Sequence, residues 1–128
     1  MQVRDAMGIG LSGACVAHCL ALPVLVSVTP ALVPLQSEFV HLGFATLALL
    51  TLVSAVRRWP EGLRGLVIQL TASFAVAGLF LAVIAAPSEE AETLITVVAA
   101  SALALSHIAA WWFARRHSHP DDTPRTCA

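Results

Sequence analysis

Four stretches of the chain run for a bilayer-sized length without a charged residue: 7–34, 39–56, 66–86 and 93–114. A helix needs roughly 20 predominantly apolar residues to cross a hydrocarbon core of about 30 Å. The first, third and fourth stretches exceed that. The second reaches it by drawing on Trp59 and on the aliphatic stems of Arg57 and Arg58, whose charged heads stay in water. The pattern predicts transmembrane helices over about 7–30, 38–59, 64–86 and 91–115. The fold class is therefore all-α, an integral membrane four-helix bundle formed by residues 1–116. Residues 117–128 change composition to Pro, Asp, Thr and His and read as a flexible tail.

Breaks in the pattern refine these elements. Pro23, Pro30 and Pro34 punctuate the first helix. Each lacks a backbone donor, so Pro23 is expected to bend the helix in mid-membrane and the other two to end it. Glu61-Gly62 and Pro87-Ser88 mark turns. Gly8 with Ser12, Ser73 with Ala77 and Ala100 with Ala104 are small residues four apart, which suit close helix contact. A cleaved signal peptide competes for the first helix. Its apolar run, however, outlasts the usual core of about 7–15 residues, and no A-x-A site ends it. Ser12-Gly13-Ala14-Cys15 faintly resembles a lipoprotein signal but has Ser12 where such a signal wants Leu.

Composition strengthens the membrane reading. Apolar residues make up 58% of the 128 and charged ones 12%, against roughly 45–50% and about 25% in soluble domains. A net charge of -1 excludes the basic footprint that nucleic acid requires. There is no Lys, and all seven Arg fall before helix 1, between helices 2 and 3, or after helix 4. The other two connections hold only acids: Glu38 in one, and Glu89, Glu90 and Glu92 in the other. Positive flanks stay cytoplasmic, so both termini and the middle connection are expected there. Trp59, Trp111 and Trp112 lie at the same ends, where amphipathic rings favour the interface. The sequence has neither a Gly-rich phosphate loop nor a Ser-His-Asp set of usable geometry, so no enzyme activity is expected.

Candidate chemistry lies in "GACVAHCLALP", residues 13–23. Side chains three and four apart share a helix face, so Cys15, His18 and Cys19 converge, with Ser12 one turn before. Thiolate and imidazole suit Zn(II), Cu(I) and similar ions, and a fourth ligand must come from elsewhere. At 1.5 Å per residue, Cys15 and Cys19 lie about 12 and 18 Å from the cytoplasmic face and His107 about 10 Å. His107 therefore overlaps this cluster in depth and is expected as the fourth ligand if helices 1 and 4 are neighbours. His41 begins helix 2 near the outer surface, as an outer capture site. His117, His119 and Cys127 follow helix 4 on the inside. Such a ladder would let a thiophilic ion pass from ligand to ligand without meeting lipid. A lone membrane Cys is usually a small hydrophobe, whereas ionisable residues within membrane helices are costly and usually functional.

Four short helices, with a Cys/His cluster and then Leu-x-x-Pro in the first, resemble the MerC family of bacterial inner-membrane proteins. "CVAHCLALP" carries the most specific part of the likeness. The resemblance implies a mercuric-ion importer in which Cys15 and Cys19 are the membrane cysteine pair and a cytoplasmic acceptor takes the ion. The chain departs from the pattern by inserting His18, and by offering only Cys127, with His117 and His119, where a second cysteine pair belongs. Linear two-thiolate binding suits Hg(II), while added imidazoles suit tetrahedral Zn(II).

The reading of choice is transport or binding of a thiophilic metal ion, Hg(II) or Zn(II), at Cys15, His18, Cys19, His107 and His41. A homodimer is expected, because four helices enclose little pathway alone. Two other readings compete. In a redox protein, His18 and His107 would ligate haem, or Cys15 and Cys19 would form an exchanging disulfide. In an accessory subunit of a larger transporter, the Cys and His residues would be incidental.

Overall fold

The computed structural model describes residues 3–57, 59 and 61–116. Within them the chain forms four long helices: α1 (Val3–Val28), α2 (Glu38–Val56), α3 (Gly62–Ala85) and α4 (Glu89–Arg116). All four are long and apolar enough to cross a membrane. α1 continues through Pro23 and stops at Val28. Pro30–Gln36 then winds into a tighter 3₁₀ segment, as expected where Pro30 and Pro34 withhold donors and the backbone closes i→i+3 bonds instead. Gly62 takes φ 83° as α3 begins, a left-handed conformation that glycine adopts without steric penalty. The Ser88 hydroxyl accepts from the Ala91 amide at 3.2 Å, capping α4, whose first turn carries acids and whose last turn carries Arg115 and Arg116. Both charges complement the helix dipole.

The helices contact one another around a ring: α1 with α2, α2 with α3, α3 with α4, and α4 with α1. Neither diagonal pair brings its backbones together, and α4 makes the two most extensive interfaces. These contacts and the short connections give an up-down-up-down bundle, with the acidic connections at one end and Arg57, Arg64, Arg115 and Arg116 at the other.

Side-chain burial is distributed as a lipid-solvated protein requires. Large apolar groups point outward, including Phe39, Phe74 and Ile84. The interior is built from alanines such as Ala72, Ala82 and Ala100, with Leu103 the largest apolar side chain fully enclosed. Small residues let membrane helices approach closely, since lipid removes the hydrophobic drive between them. Asp5, Ser12, Thr96, Ser106 and His107 are buried as well.

α1 begins at Val3, four residues before the sequence-based boundary. The added turn is anchored by Asp5, whose carboxylate is enclosed by Trp59 and His107. The tail with His117, His119 and Cys127 lies outside the described residues.

Candidate metal-ion pathway

On α1, the buried positions are 5, 8, 12, 15, 19 and 22, a spacing of three and four that keeps one seam against the bundle interior. They are Asp5, Gly8, Ser12, Cys15, Cys19 and Leu22. A seam normally filled by leucine and valine is here filled by a carboxylate, a hydroxyl and two thiols. Both cysteines are free thiols one turn apart on the seam, and Cys19 shares the lining of one cavity with His41. His18, one position off the seam, is half-buried. Its ring meets His41 edge-to-face at 5.4 Å and lies 5.4 Å from the Phe44 ring.

His41 thus joins the cluster instead of standing apart at the surface. It reaches inward because α2 starts at Glu38, so position 41 already lies one turn inside the bundle. Its Nδ1 lies 2.7 Å from Glu92 Oε1 on α4. An ionised carboxylate only accepts, so Nδ1–H donates, and in the neutral imidazole Nε2 keeps its lone pair. Carboxylate-held imidazoles of this kind are oriented for metal binding. Glu92 was absent from the sequence-based set, although it begins α4 at the same end of the bundle where His41 begins α2.

A cavity of about 320 Å³ opens at the acidic end and descends to this cluster. His18, Cys19 and His41 line its floor, and Glu38, Glu89 and Glu92 line its mouth. Cys15 lies one turn deeper, about 6 Å further along α1. Among the described residues, no three His, Cys, Asp or Glu side chains are arranged as a ready ligand set for one metal ion.

His107 does not face His18. It packs on Gly8, seven residues and about 10 Å below Cys15 along α1. Its Nδ1 lies 3.2 Å from Asp5 Oδ1, and the same oxygen accepts from Trp59 Nε1 at 3.4 Å. Trp59 meets the imidazole edge-to-face at 5.3 Å. His107 lies below the cysteine cluster because the ends of α1 and α4 are not level. With Gly8 beside His107, α4 extends past the start of α1 by about four residues, roughly 6 Å. His18 and His107 are consequently about 15 Å apart along α1, which denies them a shared haem iron.

A family model described as MerC mercury resistance protein matches residues 5–112. The chain belongs to the MerC family. No curated protein and no solved structure matches it. It is therefore a mercury-resistance-related multi-pass membrane protein. The matched region holds the whole thiol and imidazole cluster, its Glu92 brace and the Asp5–Trp59–His107 group. In this MerC protein the thiol pair is flanked by two imidazoles, His18 from its own helix and His41 from the next.

Proposed function

We propose that this MerC protein moves Hg(II) across the bacterial inner membrane, with the arginine end cytoplasmic and the cavity open to the outside. Cys15 and Cys19 are the thiolates that hold the ion. His41, braced by Glu92, and His18 receive it at the cavity floor. The observation that carries the reading is the free thiol pair, buried on one seam of α1 beneath a cavity that reaches Cys19. Three carboxylates at the mouth attract a cation, and the field they create is strongest in a low-dielectric cleft. Two thiols without a third ready ligand suit an ion that prefers linear two-coordinate binding. Zn(II), which takes four ligands in closed sites, would require His18 and His41 to turn toward the thiols.

The test is elemental analysis of purified protein equilibrated with Hg(II) or Zn(II). Hg(II) is expected to bind with one ion per thiol pair. Cys15→Ser and Cys19→Ser should each abolish that binding, and unchanged stoichiometry in both variants would sink the proposal.

A further inference from the structure

The thiol pair is reachable from one end of the bundle and shut off from the other. From the acidic end, the cavity leads down to Cys19. Toward the arginine end the same seam continues through Ser12, Gly8 and Asp5, all buried. That section is closed by side chains from three elements: Asp5 of α1, Trp59 of the α2–α3 connection and His107 of α4. His107 is 0% exposed and Trp59 7%.

The seating of the His107 ring is unusual. A Cβ at Gly8 would lie 2.4 Å from Nε2, 2.6 Å from Cδ2 and 2.7 Å from Cε1. Nearly equal distances to an atom and both its ring neighbours place that point over the face of the imidazole, not in its plane. The ring therefore lies flat on the glycine, and only glycine leaves room for it. The Nε2 lone pair, which lies in the ring plane, points elsewhere and finds no partner. Ser12 Oγ, one turn nearer the thiols, has none either. A histidine kept only for packing would be expected to satisfy both nitrogens, since unpaired buried polar atoms are costly. Its hold is also slight: one 3.2 Å contact to Asp5, on an oxygen shared with Trp59 at 3.4 Å, both at or beyond the long end of the normal range.

We infer that His107 is the inner gate of this pathway. Seated on Gly8, its ring leaves the thiols open to the acidic end alone. Displaced from α1, it opens the seam between Cys15 and the arginine end. Nε2, unpartnered when seated, gains water when displaced, so the closed state is not deeply favoured. Gating of this kind around a fixed mid-membrane site is how many transporters alternate access. The inference rests on the thiol pair being where the ion halts, but its test needs no ion.

The test uses the full chain carrying Cys127→Ser, so that only the two membrane thiols react. Sealed vesicles of both orientations are exposed to a membrane-impermeant cationic methanethiosulfonate, and modification of Cys15 and Cys19 is followed by mass spectrometry. The parent should react from the acidic end and at least about tenfold more slowly from the arginine end, a ratio within the usual range of site-to-site coupling. His107→Ala should raise the arginine-end rate by about the same factor while leaving the acidic-end rate in place. Preserved acidic-end reactivity shows that the variant has folded. If that reactivity collapses, Trp59→Phe decides, since it keeps an aromatic side chain at that position while removing the indole donor to Asp5. Equal reactivity of the parent from both ends, or an arginine-end rate unmoved in the folded variant, overturns the gate. Loss of Hg(II) stoichiometry on thiol substitution is a separate readout, so failure of the gate and failure of the transport proposal are told apart.

Discussion

His41 and Glu92 face each other across the acidic end of the bundle, Nδ1 to Oε1 at 2.7 Å, and this contact fixes which nitrogen of His41 is free for an ion at Cys19. Removing such a brace from a metal-binding histidine typically costs about 10–100-fold in affinity. Glu92→Ala should therefore weaken the capture of Hg(II) at His41 by about tenfold or more without changing the stoichiometry set by the thiols. Glu89 lines the same cavity but is not bonded to the ring, so Glu89→Ala should have a smaller effect. Isothermal titration of the two variants checks the difference. Equal losses would mean that mouth charge, and not the His41 brace, sets affinity.

Hg(II) binding should be accompanied by proton release. Cys15 and Cys19 are free thiols, and a ligand thiol must lose its proton to become a thiolate. The sign follows: protons compete with the ion, so affinity rises with pH and falls on acidification. Titration in two buffers of different ionisation enthalpy measures the protons released. Cys15→Ser should lower that number along with the binding; a count independent of both cysteines would point to other ligands.

The four membrane helices were readable because the decisive signal, a long run without charge, is local to each segment. Cys15, His18 and Cys19 were readable for the same reason, as they share one helix and its periodicity. What the sequence concealed is relational. His41, the outer capture residue, touches His18, and His107, expected at the depth of the cysteine cluster, sits on Gly8. The misplacement of His107 comes from helix ends used as rulers, when the offset between neighbouring helices is set by packing. Asp5 is absent from the sequence-based set, yet it is buried and accepts from two side chains distant in sequence. A carboxylate three residues before Gly8 on the seam spacing of α1 was the signal available for it.

Gly8 and Gly10 lie on the same helix and should respond oppositely to an added methyl. At Gly8 the new carbon would fall 2.4 Å from His107 Nε2, while at Gly10 nothing lies within 4 Å. Overpacking of a tight interior typically costs about 1–3 kcal/mol. Gly8→Ala should lose stability in that range, or relieve the clash by unseating the imidazole. Gly10→Ala should be neutral or slightly stabilising, because alanine is the better helix former. Unfolding in mixed detergent micelles gives both numbers. A neutral Gly8→Ala with the ring still seated would mean that α1 and α4 can separate without cost.

Asp5 should matter for stability out of proportion to its place in the first turns of α1. Its Oδ1 accepts from His107 Nδ1 and from Trp59 Nε1, and all three side chains are buried. Removing the acceptor leaves two buried donors unpaired, at about 1–3 kcal/mol each. Asp5→Ala should therefore destabilise the bundle by several kcal/mol, up to about twice that single-donor cost, whereas Asp5→Asn keeps an oxygen in place and should lose less. A double-mutant cycle with His107→Ala separates the pair from its surroundings. Residues sharing a hydrogen bond usually show coupling of about 0.5–3 kcal/mol, and that is the expected outcome here. Strict additivity would mean that Asp5 acts on Trp59 alone, with His107 held by its seat on Gly8 and not by the carboxylate.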